Sequence, residues 1–430
     1  MVYFFQPHKR EFFIMNNELL KDLEWRGLIN DCTDLEGLEK VLNEKSISLY
    51  CGFDPTGNSM HIGHLLPHLV LKRFQNAGHR PIVLVGGLTG TIGDPSGKSS
   101  ERTMQTMETI QHNVECLQGQ LKKIFGDTVT FVNNYDWTHQ LSILDFLRDF
   151  GKSFNISQMI AKDIVKSRLE VGISYTEFTY QILQAMDFNH LYQNHNCELQ
   201  IGGSDQWGNI VGGLDLIRKK NGHEAKAFGM TLPLITKADG TKFGKTEGGA
   251  IWLDPLQTSP YEMYQFFINT ADTDAVKFLK LFTFLPKQEI LDIEAKFAAA
   301  PHERLAQKTL AYEVVKLIHG EGAITQAIRI TEALFSGNIA ELTSAEIAVG
   351  FKDVPSTTVT EDLPLIDVLV ATGAASSKRE AREFITNNSI SINGEKQSDL
   401  EFIVAKTAAI GGEFTVIRRG KKKYFLLKHT

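Results

Sequence analysis

Residues 46–51 (Ser-Ile-Ser-Leu-Tyr-Cys) alternate small and apolar side chains, a period of two that predicts a strand. The turn cluster Gly52-Phe53-Asp54-Pro55-Thr56-Gly57 follows. Leu65, Leu66, Leu69, Val70 and Phe74 then recur at helical spacing, up to Gly78. Pro67 is compatible with that helix if it starts within a turn of His64, where amide hydrogens have no intrahelical partner. Residues 81–85 are continuously apolar and predict a buried strand, followed by Gly86-Gly87-Leu88-Thr89-Gly90. Strand, helix, strand is a βαβ unit, which implies a parallel sheet and an α/β fold. Similar alternation runs to about residue 235, and from 260 to about 334 the spacing turns helical. Leu305, Ala306, Leu310, Val314, Leu317 and Ile318 make one such stripe, stopping at His319-Gly320. Residues 351–362 carry few bulky apolar groups and predict a linker, and 363–430 a small α+β unit.

At 430 residues there is room for two or three domains, and 42% apolar with 22% charged residues describes an ordinary globular chain. The net charge of −6 argues against wholesale coating of nucleic acid, but it is unevenly spread. Residues 363–430 hold 11 Lys and Arg against 7 Asp and Glu, a balance of +4 that leaves −10 on the rest. A basic end on an acidic body points to a polyanion contact there. Cys32, Cys51, Cys116 and Cys197 have no metal-ligand spacing, which argues against a disulfide framework or zinc site and for a reducing, cytoplasmic compartment. No apolar stretch is long enough to span a bilayer. Met15-Asn16-Asn17-Glu18 reads as a second start, so residues 1–14 are taken as an extension without functional weight.

His61-Ile62-Gly63-His64 is the first motif with chemistry. One histidine on a loop is usually structural. Two at i and i+3 about a glycine, where a helix begins, face the same way beside unpaired amide hydrogens and a positive dipole end. A triphosphate is stabilised there, and Gly63 lets a base or ribose approach the backbone. Far downstream, Lys242-Phe243-Gly244-Lys245-Thr246 follows the turn-rich Lys237-Ala238-Asp239-Gly240-Thr241. Lysines on a loop are commonly only solvated; paired with the histidines, they offer movable charge for departing pyrophosphate, with Gly244 supplying flexibility. Gly93-Asp94-Pro95-Ser96-Gly97-Lys98-Ser99 is not a Walker loop, because Ile92 stands where its first glycine belongs. Lys98 and Arg102 remain candidates for a phosphate clamp. Gly86, Gly87 and Gly90 lack the dinucleotide fingerprint.

Tyr180, Gln184 and Asp187 fall at i, i+4 and i+7 on one face of a helical segment from Tyr175. Such a face is more often solvated, but in an apolar-rich segment buried polar groups need partners, and a polar ligand supplies them. Gly202-Gly203-Ser204-Asp205-Gln206-Trp207-Gly208-Asn209 follows the probable strand Leu199-Gln200-Ile201, where open α/β sheets bind ligands. Near the C-terminus, Ser377 caps a helix with Glu380 three residues on, placing Lys378, Arg379 and Arg382 on one face. Arg418-Arg419-Gly420-Lys421-Lys422-Lys423 adds five more basic residues. A basic helix and a basic strand end in one small domain read as an RNA backbone platform.

With Leu49-Tyr50-Cys51-Gly52-Phe53-Asp54-Pro55-Thr56, these motifs make the chain resemble the bacterial tyrosyl-tRNA synthetases, class I aminoacyl-tRNA synthetases, from Leu19 to the C-terminus. Residues 61–64 match the class I "HIGH" signature unchanged; residues 242–246 correspond to "KMSKS", with Phe243, Gly244 and Thr246 departing from it. The resemblance implies a doubly wound parallel-sheet nucleotide-binding domain over 15–259. A helical anticodon-arm-binding domain over 260–350, the linker 351–362, and a small RNA-binding domain over 363–430 like that of a ribosomal small-subunit protein would follow. It implies a homodimer that activates L-tyrosine with ATP and Mg²⁺, without a structural metal, and charges its tRNA. Tyr50 and Asp187 would meet the phenol hydroxyl, and Asp94, Tyr180, Gln184 and Gln206 the ammonium group. Cys51, Gly52, Asp54, Gly203 and Asp205 would contact the nucleotide or adenylate. Thr56, His61, His64, Lys98, Arg102, Lys242, Lys245 and Thr246 would surround the triphosphate, His64 and Lys245 also serving the adenylate. The basic residues 378, 379, 382, 418, 419 and 421–423 would hold tRNA.

Two rivals are weighed. A tryptophanyl-tRNA synthetase is disfavoured by Tyr50 and Asp187, since indole offers a donor and no acceptor. An RNA-binding protein that kept the fold but lost catalysis would be expected to lose His61, His64 or the lysines, and all are present.

Overall fold

The computed structural model describes residues 16–96, 105–170, 172–241, 243–246, 249–420 and 423–430. The chain divides into two compact units. The first extends to Gln257 and resumes over Thr270–Leu310; the second comprises Thr258–Asn269 and Ala311–Thr430. Among the described residues no helix is long and apolar enough to cross a membrane.

The first unit is built on six strands: β1 (Asp31–Cys32), β2 (Ser48–Phe53), β3 (Arg80–Val85), β4 (Thr130–Asn133), β5 (Cys197–Gly203) and β6 (Phe228–Leu232), in the order β1-β6-β5-β2-β3-β4. All pairs are parallel except β1 with β6. The chain moves outward from β2 through β3 to β4, then returns to place β5 on the other side of β2. That reversal opens a crevice at the carboxyl ends of β2 and β5, the place where such sheets bind ligands. After the exposed Arg80, β3 is apolar and buried from Pro81 to Val85, as in a parallel sheet covered on both faces. Pro67 falls in the first turn of the helix Leu65–Asn76, as its missing N–H requires, and Leu65, Leu66, Leu69, Val70 and Phe74 are buried. The two-residue antiparallel edge β1 is too short to leave a periodic signal. Further on, β7 (Lys245–Thr246) and β8 (Gly249–Ala250) form a short hairpin.

In the second unit the helices Pro260–Ile268 and Glu321–Ser336 pack together. Its five-stranded sheet takes β9 (Ser356–Val359), β11 (Ile390–Ile392), β12 (Glu395–Lys396), β14 (Phe414–Arg419) and β15 (Lys423–His429) in the order β12-β11-β14-β15-β9. β10 (Leu363–Pro364) pairs with β13 (Ile403–Val404). β9 lies inside the expected linker 351–362 and runs parallel to β15. Its Ser-Thr-Thr-Val composition suits a half-exposed strand while lacking the bulk that hydropathy registers. Ile330, Ile347 and Phe351 share one core with Val416 and Leu426. The stretch expected as one helical domain, 260–350, is divided: the helix Asp272–Phe282 belongs to the first unit, where Phe278 and Phe282 bury against Phe243. Periodicity marks a helix but not what its apolar face meets.

One buried ion pair braces the helix Tyr175–His195. Arg168 Nη2 donates to Glu177 Oε2 at 2.8 Å and Nη1 to Oε1 at 3.3 Å, and both side chains are almost fully enclosed. Glu177→Ala would strand a buried guanidinium, with an expected loss of about 3–5 kcal/mol in denaturant unfolding.

Candidate active site

The 61–64 motif is a 3₁₀ turn, Ile62–His64, capped by His61, whose Nδ1 accepts from Gly63 N at 3.1 Å. The His61 and His64 rings stack with centroids 3.6 Å apart, so both imidazoles face the same side. The turn is tied to the strand-like segment after the lysine loop: Ile62 N donates to Ile251 O at 2.8 Å, and His61 bridges Trp252.

The lysine loop meets that turn directly. Gly244 has φ +84°, and a Cβ there would lie 2.7 Å from Ile62 Cγ2 and 3.3 Å from Gly63 N. On the other side, a Cβ on Gly63 would lie 2.9 Å from His61 Cε1 and 3.7 Å from Phe243 O. Two glycines thus allow the segments to touch. Phe243 is buried against Phe278 at 4.6 Å and Phe282 at 4.9 Å and anchors the loop. Ile251 N donates to Gly244 O at 3.1 Å. Lys98, Arg102 and Lys242, and the side chains of Lys245 and Thr246, lie outside the described residues.

Across the crevice, five polar side chains form one chain of hydrogen bonds. Asn209 Nδ2 donates to Gln184 Oε1 (2.9 Å), Gln184 Nε2 to Gln206 Oε1 (3.1 Å), and Gln206 Nε2 to Asp94 Oδ2 (2.7 Å). Ser96 donates to Asp94 Oδ1 through Oγ (2.6 Å) and N (2.9 Å). Each donor orients the next acceptor, so the carboxylate at the end is fixed without a cation among these partners. Alongside, Tyr180 donates its hydroxyl to Asp54 Oδ2 (3.0 Å), and Thr89 Oγ1 donates to Asp54 Oδ1 (2.8 Å).

At the pocket floor, Asp187 Oδ1 accepts from Trp137 Nε1 and Oδ2 from Asn134 Nδ2, each at 2.9 Å. Burial pushes its carboxyl up to about 7, against the lowering effect of those two donors. Tyr50 is buried in contact with Phe188, and its hydroxyl has no hydrogen-bond partner among the described residues. Burial and the nearby Asp187 raise that phenol well above its ordinary range, so it stays a neutral donor. The Cys51 thiol is pushed up to about 12 by burial, which removes it as a nucleophile. Thr56, Gly52 and His64 are exposed along the crevice, while Gly203 and Asp205 occupy the end of β5 and the turn after it.

Asn134, Trp137, Thr89 and Asn209 escaped the sequence reading as site residues. A signal existed: Asn133-Asn134-Tyr135-Asp136-Trp137 follows β4 at the same carboxyl edge. In the second unit, the basic residues do not all face solvent. Lys378 pairs with Asp367 Oδ1 at 2.6 Å, and Arg419 sits between the rings of Phe384 and Phe425 while donating to Ala374 O. These two side chains are thus engaged within the domain. Arg379, Arg382 and Lys423 are exposed, Arg418 is half-buried, and Lys421 and Lys422 lie outside the described residues.

Residues 42–336 match the family model for class I tRNA synthetases (W and Y), and residues 346–427 that for the tyrosine–tRNA ligase SYY-like C-terminal domain. The chain is 62% identical over 417 residues to a tyrosine–tRNA ligase of Listeria welshimeri, covering 96% of this chain and 99% of that one. It is 58% identical over 415 residues to tyrosine–tRNA ligase 2 of Bacillus cereus, covering 95% and 99%. A C-terminally truncated mitochondrial tyrosyl-tRNA synthetase of Aspergillus nidulans superposes with a TM-score of 0.67 at 36% identity, covering 74% of this chain and 94% of that one.

The Asp187 carboxyl titrates higher folded than unfolded, so its contribution to stability is complete below about pH 4 and is lost as pH rises through about 7. Denaturant unfolding at a series of pH values should show that decline in the wild type, and Asp187→Asn should remove it.

Proposed function

The chain belongs to the tyrosine–tRNA ligase branch of the class I tRNA synthetases, and within that frame we propose how its residues divide the reaction. The enzyme activates L-tyrosine with ATP to tyrosyl-adenylate and pyrophosphate, then passes the tyrosyl group to its tRNA. The single observation supporting the proposed roles is the contact of the 61–64 turn with the 243–246 loop at the switch point of the sheet.

Tyr50 and Asp187 receive the substrate's phenol: the unpartnered Tyr50 hydroxyl donates to it, and Asp187 accepts from it. Asn134 and Trp137 hold Asp187 in position. Phenylalanine leaves both groups unpaired, a kind of discrimination for which tyrosyl-tRNA synthetases are the standard example. Asp94, Tyr180, Gln184 and Gln206 face the ammonium group; the chained hydrogen bonds of Gln184, Gln206 and Asp94, and the separate bond of Tyr180 to Asp54, fix their orientation before substrate arrives. The tyrosine carboxylate then attacks the α-phosphorus in line and pyrophosphate leaves, with no protein nucleophile. Cys51, Gly52, Asp54, Gly203 and Asp205 line the nucleotide side. Thr56, His61 and His64, with Lys98, Arg102, Lys242, Lys245 and Thr246, stabilise charge that is greatest in the five-coordinate transition state. Mg²⁺ arrives as part of the ATP substrate, carried on its phosphates.

Anticodon-arm contacts in the helical stretch 260–350, apart from the helix Asp272–Phe282 that packs in the first unit, and RNA contacts at Lys378, Arg379, Arg382, Arg418, Arg419, Lys421, Lys422 and Lys423 belong to this proposal. So does a homodimer. Ile143, Leu144, Leu147, Ile156, Ile160, Leu169 and Tyr175 are exposed large side chains within one short stretch, and a second copy is the occupant that suits them. Cytoplasmic residence is consistent with four free cysteines.

Exchange between pyrophosphate and ATP should depend on tyrosine and need no tRNA; equal exchange with phenylalanine would refute the pocket assignment. Leu144→Glu together with Ile156→Glu should shift sedimentation from dimer to monomer, and an unchanged dimer would place the interface elsewhere.

A further inference from the structure

Trp137 lies on the short helical turn Tyr135–Thr138 after β4, and its ring is half-buried against the cluster of Tyr50, Phe188 and Leu191. Its Nε1 donates to Asp187 Oδ1 at 2.9 Å. An indole N–H points in the plane of its ring, so the tilt of the ring sets the direction of that bond. Hydrogen bonds weaken steeply as they bend. Whatever fixes the indole plane therefore fixes one of the two donors that hold the Asp187 carboxylate.

His190 meets that plane. Its imidazole lies nearly parallel to the Trp137 ring, with centroids 4.2 Å apart and planes 11° apart. Asp187 and His190 stand three residues apart on one face of the helix Tyr175–His195. A single helix thus holds the indole at two points, by its N–H and by its face. One turn further on, Asn194 Nδ2 donates to His190 O at 3.0 Å and lies 3.4 Å from His190 Nδ1. Burial, and after it the nearby His195, hold the His190 imidazole below the ordinary histidine range, so it stacks as a neutral ring at neutral pH. Two half-buried rings in a stack are by themselves only packing. The indole N–H on a buried carboxylate is the second observation, because it connects the stack to the pocket floor.

We propose that His190 is a positioning residue for tyrosine recognition, acting through Trp137. It fixes the indole plane, the indole N–H fixes Asp187, and Asp187 meets the substrate's phenol hydroxyl. This rests on the reading that Tyr50 and Asp187 receive that hydroxyl. It extends the recognition path to an imidazole that the pocket assignment does not include.

The test is tyrosine-dependent exchange between pyrophosphate and ATP, measured on the full chain. His190→Ala should raise KM for tyrosine about 3- to 10-fold, the range for loss of one aromatic stack, and leave kcat and KM for ATP unchanged. His190→Phe should keep KM for tyrosine near the wild-type value, because a flat ring preserves the stack. Trp137→Phe keeps a ring but removes the N–H, and should raise the same KM. Adding His190→Ala to it should change nothing further, since both act through one bond. An unchanged tyrosine KM in His190→Ala overturns the positioning role. So does a phenylalanine variant no better than alanine, an equal rise in KM for ATP, or full additivity with Trp137→Phe. Tyr50→Phe, which removes the other phenol contact, separates the two levels. If it raises the tyrosine KM while His190→Ala does not, only the positioning role fails. If neither changes it, the reading of the phenol pocket fails, and the proposal with it.

Discussion

The catalytic side of this protein depends on two glycines meeting. Gly63 and Gly244 come from segments some 180 residues apart, and a side chain on either would intrude on the other segment or on the His61 ring. Their contact brings the imidazole turn and the lysine loop to one edge of the sheet. Phe243 anchors the loop from behind through Phe278 and Phe282, while Gly244 leaves room for the 61–64 turn.

The substrate side obeys a different constraint, the cost of burying polar groups. Asp94, Gln206, Gln184 and Asn209 satisfy one another in series, and Asp187 is satisfied by Asn134 and Trp137. One buried donor, the Tyr50 hydroxyl, is left over beside a carboxylate that burial keeps close to neutral pH. In the second unit, Arg419 lies against the rings of Phe384 and Phe425 and Lys378 pairs with Asp367.

The parallel sheet, the helix after the 61–64 turn and the polar face of Tyr180, Gln184 and Asp187 were all legible from the sequence. Each rests on local spacing: period two, period 3.6, and the carboxyl end of a strand. The motifs named the chemistry because residue type decides what a group can donate, accept or carry. Spacing cannot show which distant surface a face will meet. The strand β9 was missed because small β-branched residues carry little hydropathy, and the helix Asp272–Phe282 was grouped with its sequence neighbours although it packs with the catalytic unit. Asn134, Trp137 and Thr89 meet the surroundings of Asp187 only because the sheet order brings β4 and the turn after β3 beside the Tyr175 helix. Which lysines and arginines are engaged within the second unit was likewise decided by their neighbours. The sequence by itself determined the reacting groups and the elements that carry them. Tertiary structure decided which groups meet, because contact between remote segments depends on the backbone path and on the volume each side chain leaves free.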